Sequence, residues 1–379
     1  MKLGILGGGQ LAYMLCESIV EEINNIIKKV YIFSNTEDIP CNMLKTNNKI
    51  EIIYKDYNLE NLVEFSNKCD IITYEFENID INLLKKLNTK IYPDIKYLEI
   101  IQDKLIQKEF LKKNNISVGP YASLYNSDDI YKFIEIYDYP VIIKARKGSF
   151  DGRGNIVIKN KEKLNEFLED NIKKNILLEN YYIEDFINFT NEISICGCKN
   201  DNIINHYEPV KNIHKNNILI KTEYTINNTI NNTINNTINN TINNTINNTI
   251  NSKIKKTYKD ILNIFDTKGV ICCEFFEFNN NIYVNEIALR VHNTYHISLD
   301  CCNISQFELH LRSILDLDIP KLDFIKNGYM YNIISNLQTE NDILDIYEKI
   351  KTKYNMKIKM YNKKAIGIRK IGHVNLIKK

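Results

Sequence analysis

The chain has 379 residues, enough for two or three domains, and its 44% hydrophobic and 10% aromatic content can fill real cores. A formal charge of +2 gives no electrostatic reason to expect a nucleic acid or a membrane surface as partner. No apolar run approaches the roughly 20 residues of a membrane span, and no leader with a cleavage pattern precedes the apolar "LGIL", so a soluble, cytoplasmic protein is expected.

The opening "KLGILGGGQLAYMLCESIVEE" reads as a strand, a glycine turn and a helix. "KVYIFS", "KIEIIY" and "CDIITYEFE" follow as further strands separated by helical or turn segments. Alternating β and α segments predict a doubly wound parallel sheet over residues 1–98. From "YPVIIKA" to "VICCEFFEFNNNIYVNEIA" strands dominate as hairpins, with one helix around 161–174, which predicts an α+β unit over 99–320. A small C-terminal unit, 321–379, ends in the strand-like "IRKIGHVNLIKK". Residues 225–252 contain a Thr-Ile-Asn-Asn repeat with no charge and little volume variety, expected to be a surface insertion outside any core. Nine cysteines without a CxxC spacing point to buried reduced thiols rather than a zinc site.

Three stretches can carry chemistry. The glycine turn in "GILGGGQLA" lies between a strand and a helix whose N-terminus can cradle a phosphate. The second strand ends in Ser34-Asn35 rather than the acid that a dinucleotide ribose requires, which disfavours a nicotinamide oxidoreductase. "KARKGSFDGRGNIVI" places glycines 148, 152 and 154 between two strands. The stretch reads either as a long hairpin turn or as a flexible lid over nucleotide phosphates, with Lys144 within reach of them. In "ICCEFFEFNNNIYVNEIALRVHN", Glu274 and Glu286 fall on a predicted hairpin inside apolar strands, beside Asn285. Buried acids on neighbouring strands call for a cation, and Mg²⁺ commonly takes one or two carboxylates plus substrate phosphates. The alternative is a pair of edge-strand acids facing water. Arg290, His292 and Asn293 follow at once and suit an anionic substrate. Lysine, glycine lid and paired acids together predict a nucleotide–magnesium site.

The succession "GILGGGQLA", "YEFENI", "QDKLIQKEFL", "KARKGSFDGRGN", "YYIEDFINFTNEISI", "NEIALRVHNTYH", "SQFELHLRSIL" and "IRKIGHVN" resembles the N5-carboxyaminoimidazole ribonucleotide synthase family of ATP-grasp ligases. The resemblance covers nearly the whole chain apart from the repeat. It implies an ATP-grasp architecture: a pre-ATP-grasp α/β domain, an ATP-grasp domain with a lid subdomain at about 116–183, and a small C-terminal domain. It also implies carboxylation of 5-aminoimidazole ribonucleotide by bicarbonate, with ATP hydrolysed to ADP and phosphate through carboxyphosphate. ATP and Mg²⁺ (two ions, or Mn²⁺) are the implied cofactors; a homodimer and a separate mutase are the implied partners.

By matching positions, the resemblance assigns the ATP phosphates to Lys104, Lys144 and the loop residues Gly148, Ser149, Gly152 and Gly154. It assigns the adenine to Glu184, Asp185, Phe186 and Ile187, the ribose to Glu192, and the metal to Glu274 and Glu286 with Asn285 beside them. Asp151, Arg153, Arg290, His292 and Asn293 surround bicarbonate and the aminoimidazole in that reading. Gln10, Glu75, Phe150, His214, Lys363, Arg369 and Lys370 bind the ribonucleotide. The chain departs from the family pattern at Tyr13, Phe150 and Leu289, where Arg, Tyr and Pro are usual, and at Ile366. A related ATP-grasp carboxylase or formyl transferase on another ribonucleotide, and an ATP-binding homologue without turnover, are the rival readings.

Overall fold

In the computed structural model, residues 1–37, 39–148, 154–225, 248–365 and 367–379 are described. The N-terminal sheet consists of β1 (Lys2–Leu6), β2 (Lys29–Ser34), β3 (Ile50–Tyr54), β4 (Ile71–Tyr74) and β5 (Lys90–Ile91), in the order β3-β2-β1-β4-β5. Every pairing is parallel. Helices cover a parallel sheet on both faces, which is why β1 and β4 are nearly continuous apolar runs, buried along almost their whole length. The order reverses at β1 and β4, so a crevice opens beyond their C-terminal ends, where ligands bind in open α/β sheets.

A second, four-stranded antiparallel sheet has the order β6-β9-β7-β8, built from β6 (Tyr121–Ser123), β7 (Val141–Ala145), β8 (Asn155–Ile158) and β9 (Tyr181–Asp185). The helices Ser127–Tyr137 and Lys161–Lys173 give it a small core of its own, with Ile130, Phe133, Leu164 and Phe167 against Ile143 and Ile183.

The largest sheet has nine strands: β10 (Asn191–Asn200), β11 (Ile203–His206), β12 (Val210–Lys215), β13 (Ile218–Tyr224), β14 (Ile271–Phe278), β15 (Asn281–Ala288), β16 (Gly328–Ile334), β17 (Tyr354–Met360) and β18 (Lys370–Lys378). β16 pairs with β13, so the C-terminal segment continues the central sheet instead of building a separate one. That pairing covers a β13 edge whose backbone groups would otherwise be open. All nine cysteines are buried free thiols. No helix among the described residues is long and apolar enough to cross a membrane.

The helix Asn248–Ile264 corrects one expectation. An insert bounded at 225–252 runs into this helix, which begins at Asn248, and Ile250 is completely buried with Ile254, Tyr258 and Ile261. Isoleucines recur every fourth residue in the repeat, and at i, i+4 spacing they form a helix stripe once a sheet face is there to receive them. Residues 226–247 lie outside the described residues.

Candidate functional site

The crevice at the end of β1 and β4 holds the glycine turn and Glu75. The Glu75 carboxylate accepts hydrogen bonds from the backbone N–H of Gly9 and, at 3.0 Å, of Ala12, which lie at the start of the helix Gln10–Glu17. A Cβ on Gly9 would sit 2.7 Å from a Glu75 oxygen, and Gly7 holds φ +104 with Glu75 packed against it. An internal carboxylate therefore occupies the helix N-terminus that the sequence offered to a phosphate. The glycines are required by the close approach of this side chain. Burial pushes the Glu75 carboxyl above its ordinary range, opposed by the two amides and then by Lys363 and Arg290.

A buried ion cluster lies at β7 and β9. Lys144 Nζ donates to Glu184 Oε2 at 2.7 Å, and Lys108 Nζ lies 2.9 Å from Glu184 Oε1. Burial alone would raise Glu184, but Lys108 and Lys144 outweigh it and hold the carboxyl at about 2. Burial pulls Lys108 below its ordinary value. Next to it, Asp103 caps the helix Lys104–Lys113 through the N–H groups of Leu105 and Ile106. Asp103 also takes Arg146 Nε at 3.1 Å and Nη2 at 2.8 Å, while Lys104 N–H donates to Arg146 C=O at 2.9 Å. These bonds tie Lys104 to the base of the glycine loop. The loop itself joins the antiparallel partners β7 and β8, as the hairpin reading expects. Gly148 faces the cavity and Gly154 closes the hairpin, its C=O accepting from Ala145 N–H at 2.9 Å. Ser149, Phe150, Asp151, Gly152, Arg153 and Ile366 lie outside the described residues.

The predicted hairpin forms, with Glu274 on β14 the direct cross-strand partner of Glu286 on β15. β15 is the edge strand and the Glu286 side chain is 42% exposed, so the edge-strand alternative describes Glu286 and the buried reading describes Glu274. The register shifts after Glu274, leaving Asn285 as a bulge residue, so that Asn285 and Glu286 are both half-buried between the buried Val284 and Ile287. Burial, with Glu192 and Glu286 as like charges, drives Glu274 well above the carboxylate range. Lys104, 3.9 Å from Glu286 Oε2, holds Glu286 below its usual value, helped by His292 and Arg290. Two acids crowded to this degree in apolar strands fit a divalent cation that takes its remaining ligands from phosphate oxygens. Among the described residues, no group of three or more metal-ligating side chains forms a closed protein cage. Glu192 meets His214 Nδ1 at 3.1 Å on the neighbouring β12.

Beyond β15, Arg290 Nε lies 3.4 Å from Glu77 Oε2, and Leu289 N–H donates to Glu77 Oε1 at 2.9 Å. Leu289 supplies an N–H that a proline, the residue the resemblance leads one to expect here, would lack. His292 Nδ1 is 2.9 Å from Thr294 Oγ1 and 3.7 Å from Glu274. Asn293 is buried to 8% exposure, and neither atom of its amide has a partner among the described residues, although it borders the cavity. A buried amide without protein partners points to a ligand.

One cavity of about 850 Å³ joins part of these groups. Gln10 and Glu75 line it from the first domain, Lys104, Glu286, Arg290, His292 and Asn293 from the centre, and Lys363, Arg369 and Lys370 from the C-terminal segment. Lys363 Nζ donates to Gln10 Oε1, bridging the first and last parts of the chain. Tyr13, at the family's Arg position, donates to Glu17 at 2.6 Å, and Glu17 also pairs with Lys359. Lys144, Glu184, Glu192, His214, Glu274 and Asn285 stand outside the cavity lining, as do Asp185, Phe186 and Ile187 at and just beyond the end of β9. Sequence reasoning missed Lys108, Arg146, Asp103 and Glu77. Only Asp103 left a local signal, as a capping acid ahead of a helix.

Residues 1–102 match the ribonucleotide synthetase preATP-grasp domain family, and residues 109–307 match the ATP-grasp domain family. The N5-carboxyaminoimidazole ribonucleotide synthase of Staphylococcus aureus is 32% identical over 338 residues, covering 88% of this chain and 82% of that protein. Phosphoribosylaminoimidazole carboxylase of Candida glabrata is 31% identical over 389 residues, 99% of this chain, and the chain spans 63% of that protein's length. The Aspergillus clavatus N5-carboxyaminoimidazole synthase, solved with ADP and 5-aminoimidazole ribonucleotide, superimposes with a TM-score of 0.82 at 26% identity, covering 99% of this chain and 93% of that one. With both domain families matched in order and Glu286 of the acidic hairpin sharing one cavity with the basic cluster, the chain belongs to the N5-carboxyaminoimidazole ribonucleotide synthase family of ATP-grasp proteins.

Proposed function

We propose that the protein carboxylates the 5-amino group of 5-aminoimidazole ribonucleotide with bicarbonate at the expense of ATP, in purine biosynthesis. The observation that carries this reading is the shared cavity: Lys104 and Glu286 open onto the same space as Arg290, His292 and Asn293, and as Lys363, Arg369 and Lys370. That arrangement suits three anionic reactants side by side: a nucleotide triphosphate, bicarbonate and a ribonucleotide phosphate.

Lys104 and Lys144 meet the ATP phosphates, the "EDFI" stretch from Glu184 lines the adenine, and Glu192 holds its ribose. Glu274 and Glu286 would hold Mg²⁺, which would supply charge neutralisation on the phosphates. Bicarbonate oxygen attacks the γ-phosphorus and ADP leaves, giving carboxyphosphate. Arg290 and the Asn293 amide hold this anion, and His292 sits where the substrate amine gives up a proton. The amine then takes the carboxyl carbon and phosphate departs. Lys363, Arg369 and Lys370 anchor the ribonucleotide phosphate, and Gln10 and Glu75 orient its sugar. Holding the reactants together in line can supply several kcal/mol of the barrier, up to about 7–11 in well-oriented cases. By the same resemblance the protein works in the cytoplasm as a homodimer, and a separate mutase consumes its labile product.

The test is ADP release by the purified chain with ATP, magnesium and bicarbonate, with and without 5-aminoimidazole ribonucleotide. Strong stimulation by the aminoimidazole supports the ligase. ATP binding without stimulation favours a homologue that lacks ligase turnover.

A further inference from the structure

His292 lies past the end of β15, in an extended conformation (φ −128, ψ 150) and immediately ahead of a short 3₁₀ turn at Asn293–Tyr295. Among the described residues no strand runs beside it, and its only backbone bond there is the Tyr295 N–H donating to its C=O at 3.1 Å within the turn. Gln306, completely buried at the start of the helix Gln306–Ile314, takes the N–H and adds a second donor to the C=O. Its Oε1 accepts the His292 N–H at 2.8 Å, and its Nε2 donates to the His292 C=O at 2.7 Å. A carboxamide presents one acceptor and one donor side by side, the pattern that a neighbouring antiparallel strand presents to a paired residue. Gln306 is held in turn: its N–H donates to Ser298 Oγ at 2.9 Å, and Nε2 lies 3.1 Å from His296 Nδ1.

We propose that Gln306 is a positioning residue that takes the place of a missing strand and fixes His292 in the cavity, while Thr294 fixes the imidazole through Nδ1. The inference rests on the reading of His292 as a group that meets the reactants. Gln306 does not border the cavity, so its effect on turnover passes through His292.

The experiment uses the full chain and has two readouts. In Gln306→Met, which keeps length and volume but removes both bonds, the His292 amide exchanges with solvent at least about tenfold faster, while the β14 amides keep their protection. In steady-state kinetics the same variant loses about tenfold or more in kcat for aminoimidazole-dependent ADP release, with the KM for ATP within about twofold of wild type. Placed in a His292→Ala background, it causes no further loss. Unchanged exchange at His292, or a full additional loss in the His292→Ala background, overturns the proposal. Should Gln306→Met not fold, Gln306→Glu keeps the acceptor and loses the donor; an intermediate fall in kcat is expected, and wild-type kcat overturns the proposal. If the wild-type chain shows no aminoimidazole-dependent turnover, the reaction assignment fails, and the exchange measurement still decides what holds His292.

Discussion

Lys144 and Glu184 form a buried ion pair at 2.7 Å, and the same carboxylate holds Lys108 at 2.9 Å. Two ammonium groups thus share one counter-charge out of contact with bulk water, and Lys144 is held by a residue on the neighbouring strand. Glu184→Gln leaves both lysines uncompensated and is expected to cost about 3–5 kcal/mol at neutral pH. A carboxylate held below its ordinary value stabilises the fold above that value and loses the contribution as pH falls. For Glu184 that window runs from its ordinary 4.5 down to about 2. Chemical denaturation of both proteins should therefore show the gap narrowing between pH 7 and pH 3; a gap constant over that range contradicts the pairing.

Glu286→Gln is expected to lower kcat by about a hundredfold or more while leaving the thermal midpoint close to wild type. The substitution keeps volume and removes a half-buried carboxylate that opens onto the cavity. Unchanged kcat at saturating magnesium removes Glu286 from the metal site.

Gly9→Ala tests the Glu75 cap. Gly9 has φ −76, a value any residue adopts, so backbone strain plays no part. The added methyl would lie 2.7–2.8 Å from both Glu75 oxygens. A loss of about 1–3 kcal/mol in stability is expected, with a raised KM for the ribonucleotide and an unchanged KM for ATP. A rise confined to the ATP KM would place the nucleotide, not the ribonucleotide, at this crevice.

Two deletions separate the repeat from the helix that follows it. Replacing 226–247 with a short Gly-Ser linker is expected to leave kcat within about twofold, since none of the candidate site residues falls in the tract. Extending the deletion through 252 removes the fully buried Ile250 and should destabilise by about 2–5 kcal/mol. Equal stability of the two proteins contradicts the burial of the last repeat unit.

Features that depend on local pattern were legible in the sequence. The β1–glycine–helix opening, the Lys161–Lys173 helix and the Glu274–Glu286 pairing follow from periodicities of two and 3.6 and from the cost of placing acids in apolar strands. What escaped was set by contacts between distant residues. Glu75 reaches the Gly9 amide across 66 positions, and Arg146 reaches Asp103 across 43. Lys108 reads as an ordinary exposed helix lysine until β9 brings Glu184 over it. Ile250 looked like one more unit of a uniform repeat, and only the sheet face beneath it selects it as core. Gln306 shows no partner in its own neighbourhood, because the residue it holds lies on the other side of a turn.

The most direct measurement incubates the protein with ATP, magnesium, 5-aminoimidazole ribonucleotide and ¹³C-bicarbonate, traps the carboxylated product, and counts it against ADP. One labelled carboxyl on the 5-amino nitrogen for each ADP formed, with both falling together when the aminoimidazole is omitted, is the expected result. ADP formed at the same rate without the aminoimidazole, and no label transferred, would contradict the shared cavity as a site of carboxyl transfer.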